Sequence, residues 1–248
     1  MELHGIPETA LWTLYMRAVE AGRPDSVVDD PQAVALLERI DFPFEERFGP
    51  PRLGQWQALR ARAFDDEVSR FLAANPDGTV VALGEGLETG FWRVDNGRVS
   101  WLSVELPEVA AVRRELLPAA PNLRLVEGSA LEESWMHEVD ATRGILLTAQ
   151  GLLMYFKPDQ VHGLIDACRR RFAGGGLIFD AVPRWLSERS QKRQLKGPAG
   201  YEPPPWLWGI DTSERRRLGA RRLRAPHGRG VVGSVVLPQL LWVLAIRF

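Results

Sequence analysis

The sequence of 248 residues lacks the features that mark secreted, membrane-bound or nucleic-acid-binding proteins. Its one cysteine, Cys168, excludes an internal disulfide and predicts a reducing, cytoplasmic location. No apolar run approaches the roughly 20 residues that span a bilayer, and the polar start, MELHGIPETA, is unlike a signal peptide. A formal net charge of −1 gives no general attraction to nucleic acid or to anionic membranes.

Several catalytic signatures are also missing. The four histidines, His4, His137, His162 and His227, show no paired spacing, which argues against a metal site. There is no G-x-S-x-G turn of the kind that carries a hydrolase serine, and no Tyr-x-x-x-Lys pair. The sequence therefore predicts neither a metalloenzyme nor a serine hydrolase.

Apolar periodicity predicts helices and strands in alternation. Helices are expected at 7–21, from Pro31 onward and at 54–74, where the last is ended by NPDG at 75–78. Strands are expected near 79–83, 99–104, 123–127, 144–149 and 176–180, and the final segment VVLPQLLWVLAIRF predicts a terminal strand or hairpin. Such alternation indicates an α/β fold with a mostly parallel sheet covered by helices on both faces.

The length favours one domain, since single α/β domains often reach about 200 to 250 residues. We divide it into a helical N-terminal cap (1–75), a cofactor-binding core (79–183), a lid and acceptor region (184–230) and a terminal strand (231–248).

The most informative stretch is residues 79–108, TVVALGEGLETGFWRVDNGRVSWLSVELPE. An apolar strand leads into a turn with Gly84 and Gly86, which let the backbone approach a ligand closely. The next strand ends at Glu105, and an acid at that position can bind the two hydroxyls of a ribose. The pattern predicts a nucleoside-cofactor site, with a strand-to-helix turn that binds no ligand as the alternative.

The glycine turn does not favour a dinucleotide. Thr89 stands where the third glycine of a dinucleotide-binding turn is expected. Glu85 and Glu88 beside the turn would repel a phosphate, but they tolerate a cofactor with positive charge, such as a sulfonium.

Four segments together resemble the leucine carboxyl methyltransferase family, and its bacterial polyketide O-methyltransferases of the tetracenomycin type in particular. They are LGEGLETGFWR, WLSVELPEVAAVRRELLP, TAQGLLMYFKPDQV and GGGLIFDAVP, and the likeness extends over nearly the whole chain. The resemblance implies a class I methyltransferase fold, Rossmann-like with a seven-stranded sheet. It also implies S-adenosylmethionine as methyl donor and methyl transfer to oxygen, often of a carboxylate.

The chain differs from the family pattern at four positions, two of which lie in the motif that the family usually shows as LGAGLDTR. Glu88 replaces an aspartate, Gly90 an arginine, Glu105 an aspartate, and Gln150 a glutamate. Gln150 is the largest change, because a neutral amide attracts an ammonium group less than a carboxylate does. These changes predict altered or weaker cofactor binding, or a specialised member that no longer carries out ordinary methylation.

The resemblance and the strand ends together imply a set of cofactor contacts, because ligands of open α/β sheets bind at the carboxyl ends of the strands. Ser129, Ala130 and Leu131 are implied as adenine contacts, although a capping role for Ser129 is an equal alternative. Arg60 is implied to bind the cofactor carboxylate, with a solvated surface arginine as the alternative. The full expected set is Arg60, Gly84, Glu85, Gly86, Glu105, Leu106, Ser129, Ala130, Leu131, Gln150 and Gly151.

The acceptor side is expected to be aromatic. The segment YEPPPWLWGID at 201–211 is stiff and apolar, so Trp206 and Trp208 are candidates to cover a flat acceptor, or else they fill the core. The other candidate acceptor contacts are Trp12, Tyr15, Met154 and Tyr155. No catalytic base is required if the acceptor is a carboxylate; Tyr15, Arg17 and Tyr155 are candidates for positioning it.

The function expected first is an S-adenosylmethionine-dependent O-methyltransferase acting on a carboxylate or phenolic hydroxyl of a small, polyketide-like specialised metabolite. One alternative is a methyltransferase-like protein that binds the cofactor but catalyses another reaction or none. A second is a nicotinamide-dependent reductase. The expected partner is a small methyl acceptor, with no metal, nucleic acid or membrane, and the protein is expected to be a monomer or a homodimer. The basic stretch ERRRLGARRLRAPHGR at 214–229 has no interleaved aromatics and is interpreted as a solvated face.

Overall fold

A computed structural model describes residues 6–192, 202–223 and 242–248. The strands within these ranges are β1 Thr79–Leu83, β2 Ser100–Glu105, β3 Leu123–Glu127, β4 Ile145–Ala149, β5 Gly176–Ala181, β6 Arg221–Arg222 and β7 Trp242–Arg247. The helices are α1 Ile6–Ala21, α2 Pro31–Arg39, α3 Phe44–Phe48, α4 Gly54–Ala74, α5 Gly90–Val94, α6 Pro107–Leu116, α7 Pro158–Arg171, α8 Arg184–Gln191 and α9 Thr212–Arg217, with 3₁₀ turns at Ser134–Glu138 and Leu153–Tyr155. None of these helices is long and apolar enough to cross a membrane.

The strands form one seven-stranded sheet in the order β3-β2-β1-β4-β5-β7-β6. Strands β1 to β5 pair in parallel, whereas β7 runs antiparallel to both β5 and β6. Every residue of β1 and of β4 is buried, because helices cover both faces of the sheet. The predicted fold class, α/β with a doubly wound, mostly parallel sheet of seven strands, is confirmed.

The sheet reverses its winding beside β1. This strand pairs with β2 on one side and with β4 on the other, and the chain reaches β4 only after completing the β2–β3 half. Ligands of open α/β sheets bind at such a switch point, outside the carboxyl ends of the strands. A ligand site is therefore expected among the residues that follow β1, β2 and β4.

Local sequence signals located most elements well. The helix predicted at 54–74 and the strands at 79–83 and 123–127 have the predicted bounds. Asp30 caps α2, since its side chain accepts a hydrogen bond from the Ala33 amide at 3.0 Å. Helix α3 and strand β6 were not predicted, because five and two residues are too short to show a periodicity.

The C-terminal predictions are only partly described by the structure. Strand β7 lies inside the expected terminal strand, and α8, α9 and β6 lie inside the expected lid and acceptor region. The remaining parts of these two regions, 193–201 and 224–241, fall outside the described residues.

The N-terminal helices form their own apolar cluster above the sheet. Leu11 and Leu14 of α1 pack with Leu36 of α2, and the Tyr15 ring stacks on Phe44 with centroids 5.5 Å apart. Tyr15 is buried in this cluster, and burial together with the nearby Glu45 raises the pKa of its hydroxyl. The expected role of Tyr15 in contacting or positioning an acceptor is thus not supported by its location; it is a core residue of the helical layer.

Arg17 connects the helical layer to the glycine turn. Its Nε donates to Asp30 at 2.9 Å, its Nη1 to Glu88 at 2.5 Å and its Nη2 to the Leu87 carbonyl at 2.9 Å. The side chain is 1% exposed. Arg17 was expected to position an acidic acceptor, but all three guanidinium nitrogens bind protein acceptors, so its contacts favour a structural role instead.

Arg93 completes the same ion cluster. It binds Asp65 through two hydrogen bonds of 2.7 and 3.0 Å, and its Nη1 donates to Asp30 at 2.6 Å. Burial alone would raise the pKa of Asp30, but Arg17, Arg93 and a hydrogen bond from Thr89 lower it below its usual value. A Cβ atom at position 90 would lie 3.6 Å from Arg93 Nη2, so this guanidinium fills the space beside the glycine that replaces the family arginine.

We expect Arg17→Met to destabilise the protein by about 3 to 5 kcal/mol, because it leaves buried carboxylates without a cation. The free energy of unfolding in urea, followed by circular dichroism, measures this loss. Arg23→Met in the same helix-to-loop region removes an exposed pair with Asp25 and should leave stability almost unchanged. Equal losses in the two variants would contradict the structural importance of the buried cluster.

Candidate functional site

Five parallel strands bring their carboxyl ends to one edge of the sheet. The glycine turn follows β1, Glu105 and Leu106 lie at the end of β2, and Gln150 follows β4. Because β1 is bonded to both β2 and β4, these three segments are neighbours. The structure therefore brings together the strand-end residues that were predicted from sequence.

The two glycines of the turn adopt conformations that other residues rarely take. The φ angles are +55° at Gly84 and +60° at Gly86. A Cβ atom at Gly84 would lie 2.7 Å from Leu152 Cδ1, and one at Gly86 would lie 3.0 Å from the Ala10 Cβ. Glycine is thus required by the close packing of protein side chains as well as by the turn itself.

Glu105 is turned back toward the glycine turn. Its Oε1 accepts a hydrogen bond of 2.7 Å from the Gly86 amide, and the residue is 4% exposed. Burial is the main cause that raises the pKa of Glu105 to about 8; Arg113 opposes the rise and Glu85 adds to it. The carboxyl group sits where the predicted ribose acid is expected, at the tip of β2.

Glu85 and Arg113 stabilise the glycine turn. Arg113 Nη2 donates to Glu85 at 2.7 Å, and its Nη1 donates to the carbonyl oxygens of Gly86 and Glu88. The same Glu85 oxygen accepts a hydrogen bond from the Ser103 hydroxyl. Glu85 was expected to contact the cofactor, whereas the geometry supports a role in holding the turn. Sequence reasoning missed Arg113, because nothing in the α6 pattern distinguishes a buried arginine from a solvated one.

Arg60 belongs to α4, and its side chain reaches the carboxyl end of β5. Its Nη1 is 3.2 Å from Asp180 Oδ2, and the Gly151 amide donates to Asp180 Oδ1 at 2.6 Å. The Arg60 guanidinium carbon lies 5.9 Å from the centre of the Trp56 ring. Its buried Nε has no hydrogen-bond partner among the described residues. Arg60 is thus a buried cation with unused donor capacity, as a carboxylate-binding residue requires.

Asp180 was missed at the sequence level, although the strand GLIFDA carries a polar residue where all neighbours are apolar. Burial raises the pKa of Asp180, and Arg60 and the Gly151 amide oppose that rise. The side chain positions both Arg60 and the turn after β4.

The residues expected around the adenine differ in exposure. Leu106 is 40% exposed, which is unusual for a large apolar residue in the described part of the chain. Ser129 Oγ accepts a hydrogen bond from the Leu131 amide at 3.2 Å, and the Ala130 carbonyl accepts one from Trp135 Nε1 at 3.2 Å. The local bond of Ser129 matches the turn-capping alternative, and an adenine contact for it stays a prediction.

The candidate acceptor side is formed by two segments that lie far apart in sequence. The Met154 carbonyl accepts hydrogen bonds from the amides of Leu207 and Trp208 at 2.7 and 3.2 Å. Met154 packs with Val182 and Leu186, and the partly buried Tyr155 and Trp206 pack against them. Burial raises the pKa of Tyr155, while hydrogen bonds with Trp206 and Thr9 oppose the rise. Met154, Tyr155 and Trp206 are therefore together, as predicted.

Two other acceptor candidates lie elsewhere. Trp208 is 3% exposed and packs on Phe179 in the main core, with ring centroids 6.1 Å apart. Trp12 packs against the apolar cluster of the N-terminal helices. The location of Trp208 matches the core-filling alternative, whereas an acceptor contact for the partly buried Trp206 stays a prediction.

Groups that would indicate other chemistry lie apart from this edge. His162 of α7 pairs with Glu214 of α9 at 2.6 Å, and Cys168 is fully buried in α7, where burial raises the pKa of its thiol to about 12. Within the described ranges, no group of three or more histidine, cysteine, aspartate and glutamate residues has the arrangement of a metal site.

The chain is similar in sequence to known proteins. The model of a family described as leucine carboxyl methyltransferase matches residues 10–169. The chain is 32% identical to the tetracenomycin polyketide synthesis O-methyltransferase TcmP of Streptomyces glaucescens, and the match covers 85% of this chain and 77% of that protein. It is 27% identical to the S-adenosyl-L-methionine-dependent methyltransferase dpfgK of Gibberella zeae, over 72% of this chain and 67% of that protein.

Solved structures agree on the fold. A DUF574 family protein from Streptomyces avermitilis superposes with a TM-score of 0.64 at 14% identity, covering 96% of each chain. The structure described as PigF with SAH superposes with a TM-score of 0.50 at 14% identity, covering 97% of this chain and 71% of that one. At such low identity these likenesses establish the fold alone.

The raised pKa of Glu105 predicts a pH-dependent stability that Glu105→Gln removes. An exposed glutamate has a pKa of 4.5, whereas burial raises the pKa of Glu105 in the folded protein to about 8. Between these two values the folded protein keeps a proton that the unfolded chain loses. The stability of the unsubstituted protein should therefore fall as the pH rises through this range. The melting temperature of Glu105→Gln should rise relative to that of the unsubstituted protein over the same range.

Thermal unfolding measured at intervals from about pH 5 to about pH 8 checks this expectation. The control is Glu108→Gln, which removes an exposed carboxyl group three residues away. A difference in melting temperature between Glu105→Gln and the unsubstituted protein that stays constant with pH would show that Glu105 ionises normally.

Proposed function

The chain belongs to the leucine carboxyl methyltransferase family, and on that basis we propose that it transfers a methyl group from S-adenosylmethionine to an oxygen atom of a small organic molecule. The acceptor group in this proposal is a carboxylate or a phenolic hydroxyl. The acceptor itself is a flat, largely apolar compound of the polyketide type.

Family membership makes the chain an S-adenosylmethionine-dependent methyltransferase with the class I fold. It also decides against the nicotinamide-dependent reductase that the glycine turn left open. The atom that is methylated and the identity of the acceptor belong to the proposal.

The residues at the strand ends fit S-adenosylmethionine. The buried Arg60 Nε, which lacks a hydrogen-bond partner among the described residues, would be satisfied by the carboxylate of the methionine arm. Glu105 at the tip of β2 would hold the ribose, and the exposed Leu106 would cover the adenine. When bound, the cofactor supplies a sulfonium whose methyl carbon is electrophilic.

The proposal for the acceptor rests on the contact between Met154, Tyr155 and Trp206. Met154 and Tyr155 follow β4 directly, and the hydrogen bonds from Leu207 and Trp208 to the Met154 carbonyl keep Trp206 beside them. An apolar wall with a tyrosine hydroxyl and an indole suits a flat ring system with a polar substituent. The likeness to TcmP, which is named a polyketide O-methyltransferase, supports the same class of acceptor.

Transfer to a carboxylate needs little from the protein beyond alignment. With Arg60 and Glu105 holding it, S-adenosylmethionine would supply its electrophilic methyl carbon to the acceptor oxygen and would itself leave as the neutral thioether. Holding the oxygen, carbon and sulfur in line supplies most of the rate enhancement. A phenol must in addition lose its proton before or during the attack.

The experiment that tests this function uses purified protein, S-adenosylmethionine and a panel of aromatic carboxylic acids and phenols. Mass spectrometry should show a product heavier by one CH₂ unit, together with S-adenosylhomocysteine. Mild alkali then separates the two acceptor groups, because a methyl ester is hydrolysed and an aryl methyl ether is not. Binding of S-adenosylhomocysteine without turnover of any acceptor would favour a cofactor-binding protein that does not methylate.

Arg60→Met should weaken binding of S-adenosylhomocysteine about tenfold or more, because it removes a charged hydrogen-bond donor to the methionine carboxylate. Isothermal titration calorimetry measures the change in Kd. Arg62→Met, two residues along α4, is the matched control and should bind like the unsubstituted protein. Similar affinities in both variants would exclude Arg60 from the cofactor site.

A further inference from the structure

Gln150 and Glu88 meet beside the expected position of the methionine arm. Gln150 follows β4 directly, and its Nε2 donates a hydrogen bond of 2.8 Å to Glu88 Oε1. These are two of the positions at which the chain departs from the family pattern. The contact joins the two departures physically.

Two arginine side chains pair with the carboxylate of Glu88. Arg17 Nη1 lies 2.5 Å from Oε1, and Arg93 Nη2 lies 3.5 Å from Oε2. An ionised carboxylate only accepts hydrogen bonds, so the amide of Gln150 must present its NH₂ end to Glu88. The amide oxygen of Gln150 therefore points away from Glu88, and an orientation that is often ambiguous is settled by its partner.

We propose that Glu88 positions Gln150 so that the amide oxygen accepts a hydrogen bond from the α-ammonium group of the methyl donor, while Glu88 supplies the compensating negative charge. Gln150 is the contact residue and Glu88 the positioning residue. The inference rests on the proposed placement of the donor at the strand ends.

The charges of the surrounding cluster support this division of roles. The three carboxyl groups of Asp30, Asp65 and Glu88 face only two guanidinium groups, those of Arg17 and Arg93. Burial raises the pKa of Asp65, and Arg93 opposes that rise. The Oε2 atom of Glu88 is buried and accepts no hydrogen bond from any residue that the structure describes. A cation near Gln150 would therefore be attracted although the contacting side chain is neutral.

The two substitutions explain each other. With a glutamate at position 150, the family residue, a second carboxylate oxygen would stand about 2.8 Å from Glu88 Oε1. Two carboxylates at such a distance cannot both be ionised, so one would take up a proton. An aspartate at position 88 is one methylene shorter and would leave room for a glutamate at 150. The longer Glu88 thus requires an amide as its neighbour.

The test compares two probes by calorimetry. One is S-adenosylhomocysteine; the other is 4-(adenosylthio)butanoate, the same molecule without its amino group. The unsubstituted protein should prefer S-adenosylhomocysteine about tenfold or more, as expected for a hydrogen bond to a charged group. Glu88→Gln should lose most of this preference, because the charge is gone and the Gln150 amide is free to reverse. Its affinity for the deaminated probe should stay within about twofold.

Asp65→Asn is the matched control. It removes one carboxylate from the same cluster, but Asp65 bonds to Arg93 and not to Gln150. It should therefore retain the preference for S-adenosylhomocysteine. If Asp65→Asn and Glu88→Gln lose the preference equally, Glu88 acts only through the integrity of the cluster and the proposal is overturned.

Two further variants keep the proposal testable if Glu88→Gln does not fold, as judged by circular dichroism. Gln150→Met is close in size, offers no amide oxygen and should also lose the preference. Gln150→Glu restores the family residue and yet should not tighten binding, whereas Glu88→Asp combined with Gln150→Glu should bind S-adenosylhomocysteine at least as well as the unsubstituted protein. Tighter binding by Gln150→Glu alone would refute the proposal.

The binding pattern of the unsubstituted protein separates this inference from the proposed function. If it binds neither probe, the donor site itself is wrong, and the inference fails with it. If it binds both probes equally and turns over S-adenosylmethionine, the proposed function stands and only the role of Glu88 and Gln150 is refuted.

Discussion

The buried ion cluster around Glu88 is the constraint on which the rest of the site depends. Arg17 of the first helix and Arg93 beyond the glycine turn share Asp30 and Glu88 between them, at distances from 2.5 to 3.5 Å. Charges removed from water are stable only while each keeps its partner, so the cluster tolerates little displacement. It thereby fixes the N-terminal helices over the carboxyl edge of the sheet.

The glycine turn is held from two sides, and this determines which of its acids are free for a ligand. Arg113 binds Glu85 and the turn carbonyls, while Arg17 and Arg93 bind Glu88. The two acids that look available in the sequence are thus paired with arginines of the protein. In the proposed site, the groups that would hold the methyl donor are the carboxyl group of Glu105, the Arg60 guanidinium and the amide oxygen of Gln150.

The acceptor side shows the same distinction between position in sequence and position in space. Met154 and Trp206 come together because the amides of Leu207 and Trp208 bond to the Met154 carbonyl, and Tyr155 packs against the same apolar cluster. Tyr15 and Trp208 have the same chemical character, yet they fill two different cores. Aromatic composition alone therefore overstates the size of the acceptor wall.

The sequence by itself determined the elements and the edge at which the site lies. Strand ends, a capping aspartate and glycines with positive φ are set by local interactions, so periodicity and turn chemistry locate β1, β2, β4 and the residues that follow them. Only the tertiary structure decided how the charges pair. Arg17 and Glu88 are 71 residues apart, Gln150 and Glu88 are 62 apart, and Arg60 and Asp180 are 120 apart. No local pattern encodes such pairings, because a buried arginine and a solvated one look alike until the chain folds around them.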